Sequence, residues 1–280
     1  MKQKVLIADS GSTKTDWTLV SDGTPQATIH TQGLNPCVMD DAQVEAVLQS
    51  ELLPHVKADE VGEIWFYGAG CRDDQLPRMM QLLQRHFPSA LSVNVASDLL
   101  GAVRALCGDA DGIACILGTG SNSCLFEGGR IVMNVPPMGY VLGDEGSGAV
   151  LGKRLLSDVY KGRLPEHLVS AFHQEYADTL ADAIRRVYNE PCANRYLASF
   201  APFLSAHQAE PAIRELLNEE FARFVERNVL AYGRTDLSVS FVGSIAEAFR
   251  EVIDEVLTQH GLRMGRVIKA PMDGLVCYHA

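Results

Sequence analysis

One pattern constrains the fold of this chain more than any other. A strand, a small-residue loop, a second strand, a glycine turn and a third strand occur twice, about 107 positions apart. In the first copy residues 5–8 are apolar, Asp9-Ser10-Gly11-Ser12-Thr13-Lys14-Thr15 is small and polar, and residues 15–20 are rich in β-formers. Asp22-Gly23 then turns the chain into a third strand near residues 27–30. In the second copy residues 113–117 are apolar, Gly118-Thr119-Gly120-Ser121-Asn122 is the loop, and residues 124–126 resume a strand. Gly128-Gly129 takes the place of Asp22-Gly23, and residues 130–133 form the third strand. The repeat predicts a duplicated α/β fold.

Each copy continues with helices and strands. The first predicts a helix over 42–53, a strand over 63–67 ending in Gly68-Ala69-Gly70, a helix over 78–86 and a strand over 91–96. The second is more helical, with apolar periodicity over 149–160, 167–187, 196–205 and 212–232. A strand over 237–242, a Gly243-Ser244 turn and a helix over 245–260 follow. Two α/β lobes around a cleft are expected, residues 1–108 and 109–280, with no low-complexity linker between them.

Composition narrows the function classes. A formal charge of −11, from 24 basic and 35 acidic residues, argues against a nucleic-acid face, which needs clustered Lys and Arg. No run approaches the roughly 20 apolar residues of a membrane span, and Lys2 and Lys4 lead into a strand pattern rather than a signal-peptide core. The seven cysteines include no Cys-x-x-Cys and no zinc spacing, which suits a reducing cytoplasm, with Cys107, Cys115 and Cys124 read as core residues. Any phosphate ligand must then be held by backbone N–H groups and a metal ion.

The loop 9–15 is not a P-loop, because Thr13 rather than Gly precedes Lys14 and a strand rather than a helix follows. Successive exposed N–H groups in such a hairpin can still form an anion-binding nest. Asp9, at the strand end, is the candidate Mg²⁺ ligand, directly or through water. The second loop supplies a second nest. Phe241-Val242-Gly243-Ser244-Ile245 delivers a small-residue turn to a helix N-terminus, where an adenosine can pack closely.

These three loops, in this order, resemble the phosphate-1, phosphate-2 and adenosine motifs of the actin, Hsp70 and sugar-kinase superfamily. Within it the chain is similar to the N-acetylglucosamine kinase-like branch of the BadF/BadG/BcrA/BcrD ATPase family, over nearly its whole length. The most specific segment is Gly139-Tyr140-Val141-Leu142-Gly143-Asp144-Glu145-Gly146-Ser147-Gly148, since Gly-Asp-Glu-Gly-Ser before a helix is a hallmark of that branch. The resemblance implies ATP and Mg²⁺ as cofactors. It implies ATP contacts from Asp9, Gly11, Ser12, Thr13, Lys14, Gly118, Thr119, Gly120, Ser121, Gly243 and Ser244. Asp98 in Ser97-Asp98-Leu99-Leu100 matches the catalytic segment and is the expected general base, also touching sugar. Asn35 in Gly33-Leu34-Asn35-Pro36 matches the sugar-binding loop, with Gly70 beside it. Asp144 would bind sugar hydroxyls or the metal, supported by Glu145. At Tyr140 the animal enzymes carry tryptophan.

The resemblance implies transfer of the ATP γ-phosphate to the 6-hydroxyl of N-acetylglucosamine. N-acetylmuramic acid and glucosamine are alternative substrates. A homodimer is expected. The rival reading is an ATPase activator of a 2-hydroxyacyl-CoA dehydratase or benzoyl-CoA reductase type enzyme, which needs exposed cysteines for an iron–sulfur cluster. A sugar-responsive regulator would need a helix-turn-helix domain, and Val5 already starts the first hairpin.

Overall fold

The computed structural model describes residues 4–11 and 13–280. The chain divides into two compact units, the first running to Asp109 and taking back Ala270–Ala280, the second comprising Ala110–Lys269.

The first unit holds β1 (Lys4–Ser10), β2 (Lys14–Ser21), β3 (Thr24–Gln32), α1 (Asp41–Val47), β4 (Val61–Gly68), α2 (Leu76–His86), β5 (Ser92–Ser97) and α3 (Asp98–Cys107). Its sheet order is β3-β2-β1-β4-β5. β1 pairs antiparallel with β2 and parallel with β4, which pairs parallel with β5. Helices cover both faces of the central strand, so Leu6, Ile7 and Ala8 are all buried.

The second unit holds β6 (Gly112–Leu117), β7 (Ser121–Glu127) and β8 (Arg130–Met133), then α4 (Gly139–Leu142), α5 (Gly148–Tyr160), α6 (Glu166–Glu175) and α7 (Leu180–Tyr188). After these come α8 (Ala193–Ala198), α9 (Ala201–Ala206), α10 (Pro211–Phe224), β9 (Ser238–Val242), α11 (Ser244–Ala248), α12 (Arg250–Gln259) and β10 (Arg263–Ile268). The sheet order, β8-β7-β6-β9-β10, repeats that of the first unit with the same strand directions. The duplicated grammar of the sequence is thus a duplicated sheet. Each unit has its own core, around Phe66 and Trp17 in the first and around Phe172, Phe221 and Phe241 in the second.

Several expected helices are broken by local chemistry. The 167–187 run stops at Tyr176 and restarts behind Thr179, whose hydroxyl accepts from the Asp182 N–H while Asp182 reaches back, a capping box. The 196–205 run divides because Pro202 sits in the first turn of α9. The 245–260 run breaks at Phe249, which is fully buried. β10 and α13 (Met272–His279) have no counterpart in the sequence reading. The chain's end groups with the first unit, so an N-terminal lobe of 1–108 and a C-terminal lobe of 109–280 divide it differently from the observed units. The cause is α13, which packs on α3 closely enough that a Cβ on Gly274 would lie 2.5 Å from the Ala105 carbonyl oxygen.

Candidate active site

In the first unit three loops leave the sheet at the same edge. Ser10, Gly68 and Ser97 end β1, β4 and β5 and are register partners in turn. Ligand sites of parallel sheets form at this carboxyl end. The buried Ser10 hydroxyl donates to the Leu34 carbonyl at 3.1 Å and accepts from the Leu34 N–H at 3.0 Å, and the Ala69 N–H reaches the Ser10 carbonyl at 2.8 Å. These bonds tie the 33–36 loop and the 68–70 loop to the β1–β2 hairpin. Asn35 Oδ1 accepts from the Cys37 N–H at 3.0 Å, and its side chain lies so close to Gly70 that a Cβ there would sit 2.1 Å from Oδ1. Gly70 also has φ +78°, so both space and backbone require glycine.

Asp98 is the first residue of α3, but it is not the cap. Ser97 is, accepting from the Leu100 N–H at 3.2 Å, which leaves the Asp98 carboxylate with the Leu99 N–H at 2.9 Å. Burial pushes the Asp98 carboxyl up from its ordinary value. Asp9 is raised to about 7, first by burial and then by the charges of Asp16 and Asp98. Asp16 is held low, despite partial burial, by Lys14 at 2.6 Å and His30 at 2.7 Å. Lys14 is therefore paired and solvent-exposed, Gly11 closes the turn on the Lys14 carbonyl, and Thr13 accepts from Gly33. Ser12 lies outside the described residues.

Asp9 thus stands at a desolvated strand end near two further carboxylates, where a bound cation would favour its ionised form, with hard carboxylate oxygen as the donor. This suits Mg²⁺, which keeps several waters and binds through one or two carboxylates together with substrate phosphates rather than in an all-protein cage. Among the described residues no three-ligand cluster occurs.

In the second unit the loop after β6 is tied to the start of α5: the Gly148 N–H donates to the Gly118 carbonyl at 2.8 Å and the Ala149 N–H to that of Thr119 at 3.1 Å. Asp144 sits at φ +53°, uncommon for a non-glycine residue. Its carboxylate accepts from backbone N–H groups of Ser121 and Gly139 and lies against Gly120, where a Cβ would come within 2.9 Å of Oδ2. Burial raises the Asp144 carboxyl to about 6 against those bonds. Helix capping falls to Ser147, which accepts from the Val150 N–H. Glu145 is bound to Arg227 at 2.7 Å and anchors the turn. The Tyr140 carbonyl accepts from Lys153 Nζ at 2.8 Å, while Tyr140 packs on the core and lines an apolar cavity with Leu156, Tyr160 and Ile184.

Gly243 has φ +132°, and a Cβ there would lie 2.1 Å from the Leu117 carbonyl oxygen; only glycine lets the third loop meet the second. Gly118, Thr119 and Ser244 consequently line one cavity of about 330 Å³. Its opposite wall is Ala198, Ser199, Ala201, Pro202 and Ser205 from α8 and α9, residues the sequence reading missed. Their one signal was Pro202, which interrupts an otherwise periodic helix.

No protein-family model matches the chain, and no curated protein matches it in sequence. Among solved structures, a Porphyromonas gingivalis protein described as a candidate N-acetylglucosamine kinase is 48% identical, with a TM-score of 0.96 over 98% of both chains. The chain belongs to the N-acetylglucosamine kinase-like family of sugar kinases. A second protein so described, from Chromobacterium violaceum, shares 21% identity and a TM-score of 0.71 over 99% of each chain. A ROK-family glucokinase from Streptomyces griseus, solved with glucose and AMPPNP, shares 14% identity and a TM-score of 0.63, covering 98% of this chain and 97% of its own. These two share the fold. Kinases of this family are phosphotransferases with an alcohol acceptor, and the actin-like architecture of two matched α/β units is theirs.

Proposed function

We propose that the protein transfers the γ-phosphate of ATP to the 6-hydroxyl of N-acetylglucosamine. Support for this reading comes from the half-buried carboxylate of Asp98, released from capping by Ser97, at the sheet edge that also carries the loop of the Asn35–Gly70 pair. In aldohexoses the 6-hydroxyl is the one primary alcohol and the least hindered acceptor. Asp98 accepts its proton late in transfer, a role for which a raised carboxyl pKa is an advantage as long as the group is ionised.

Asn35 both donates and accepts toward ring hydroxyls, and Asp144 holds further hydroxyls of the sugar. The Gly11, Gly118 and Ser121 N–H groups are taken by the Lys14 carbonyl, the Gly120 carbonyl and the Asp144 carboxylate, so the N–H groups of Thr13, Thr119 and Gly120 are the ones that hold the phosphates, and the cavity lined by Gly118, Thr119, Ser244 and the α8–α9 residues accepts the adenosine. Asp9 is the residue that would hold Mg²⁺, whose contribution when bound is to neutralise the triphosphate charge. The preference for the acetamido sugar over N-acetylmuramic acid or glucosamine rests on the 48% identical relative's description.

The activator reading needs exposed cysteines close together; Cys115 and Cys124 are buried inside β6 and β7, and the exposed Cys37, Cys192 and Cys277 lie on three separate segments, after β3, before α8 and in α13. An ADP-release assay across N-acetylglucosamine, N-acetylmuramic acid, glucosamine and glucose tests the proposal. N-acetylglucosamine should give the highest kcat/KM; a higher value for glucose would defeat the amino-sugar assignment.

A further inference from the structure

A half-buried cluster of charged and aromatic side chains lies where α3, β4 and α13 meet and serves no role in the reaction described above. Tyr67, in β4, is fully buried, and its backbone is the register partner of Asp9 on one side and Ala96 on the other. α3 rests directly on it: a Cβ on Gly101 would lie 2.9 Å from Tyr67 Cβ and Cγ. One turn further along α3, Arg104 donates to the Tyr67 hydroxyl at 2.6 Å. That leaves the hydroxyl proton for His279 Nε2, 2.7 Å away on α13. His279 stacks on Trp65 with ring centroids 4.4 Å apart, and the Arg104 guanidinium lies 5.0 Å from the ring centres of both Trp65 and Tyr278. No described carboxylate pairs with Arg104; its charge is met by aromatic faces and one phenol oxygen.

The Arg104–Tyr67 hydrogen bond has a forced direction. Arg104 can only donate, so Tyr67 accepts from it, and the arrangement that uses the phenol proton has Tyr67 donate onward to an unprotonated His279 Nε2. Burial, then the Arg104 charge, lowers the His279 pKa to about 4, in keeping with a neutral acceptor. The chain's last helix therefore fastens to the strand beneath α3 through this relay. Asp98, Gly101 and Arg104 are spaced three apart on α3, so the depth at which Gly101 settles on Tyr67 also sets where Asp98 stands.

We infer that Tyr67 is a positioning residue for Asp98, held by Arg104 and by His279 of the C-terminal helix. The inference rests on the proposed role of Asp98. The energetic logic is that of proximity: displacing a catalytic group by about 1 Å costs up to a hundredfold in rate without touching substrate affinity. The charged and titratable groups that face Asp98 from neighbouring elements are Asp9 on β1 and Cys71 after β4, and none of the three cluster residues adds a charge change to them near neutral pH.

The test compares Tyr67→Phe, His279→Phe and His279→Gln with the wild-type chain by steady-state kinetics, thermal unfolding and hydrogen exchange of the peptide spanning residues 97–105. Tyr67→Phe keeps the ring under Gly101 and removes only the relay. It should lower kcat about tenfold, leave KM for ATP and sugar within twofold, and speed exchange in that peptide. His279→Phe should match it, while His279→Gln, which retains an acceptor, should recover most of kcat. A wild-type kcat in both phenylalanine variants, whatever their melting temperatures, would reduce the cluster to a structural prop and overturn the inference. So would a fall in kcat with unchanged exchange. Failure of the wild-type protein to phosphorylate any sugar is a different result, and it would remove the reading on which the role rests.

Discussion

The strand before the β1–β2 loop ends in Asp9-Ser10, whereas the matching positions before the β6–β7 loop are Ile116-Leu117. Both strands lie centrally in sheets of the same order, although the first hairpin closes from the Gly11 N–H to the Lys14 carbonyl and the second, one residue shorter, from the Gly118 N–H to the Gly120 carbonyl. Yet the first unit carries its acid on the strand itself, and the second borrows Asp144 from the long helical insertion between β8 and β9, resting it on Gly120. The comparison teaches that the duplicated sheet supplies two equivalent places for a small-residue turn, while the chemistry that distinguishes them comes from what each unit attaches. The first unit attaches short loops and the helix that carries Asp98. The second attaches helices that build a nucleoside-sized cavity.

The sharpest way to break this division is to remove the proposed base, Asp98, from the first unit. Asp98→Asn preserves shape and deletes charge, and should reduce kcat by about two to four orders of magnitude with ATP and sugar still bound. Turnover within threefold of wild type in a folded variant would return Asp98 to a purely local role at the helix N-terminus. Next in size is the junction that joins the second unit's two loops. Gly243→Ala combines a disfavoured backbone with a clash on the Leu117 carbonyl and should cost about 3 kcal/mol, read as a lower urea midpoint, whereas Gly118→Ala meets open space and should unfold as wild type does.

A subtler contrast concerns pH. The Asp9 carboxyl is raised from 3.8 to about 7, so the native state prefers it protonated, and the stability this confers is complete below about pH 4 and lost as pH rises through 7. Asp9→Asn should therefore stabilise the protein by about 2 kcal/mol at pH 8 and by nothing measurable at pH 4, in thermal unfolding without nucleotide or metal. For Asp144, raised from 3.8 to about 6 and partly solvated, the window is narrower and the gain from Asp144→Asn smaller. Equal gains at both positions, or a gain at pH 4, would contradict the assignment of Asp9 as the more strongly desolvated acid.

How much of this was legible in the sequence depends on how local the signal was. The hairpins, the Ser97-Asp98 helix start and the Gly139–Gly148 turn were readable because their residues act within a few positions of one another. β10 was not, since Arg263, Gly265 and Arg266 interrupt its apolar run and its pairing with β9 shifts register at Met264–Val267. α13 was also hidden: it contains Gly274, and its reason for being helical is contact with α3, far away in sequence. The cavity wall from α8 and α9 is made of alanine, serine and proline, residue types that carry no message until the fold brings them into one cavity with Gly118 and Ser244. The same holds for Glu145, whose partner Arg227 is 82 positions away.

The most direct test of the central claim is phosphorus NMR of the product formed from ATP and N-acetylglucosamine. A primary phosphate monoester coupled to the two protons of the 6-methylene is the predicted signal. An anomeric phosphate coupled to one proton, or inorganic phosphate alone, would contradict the account.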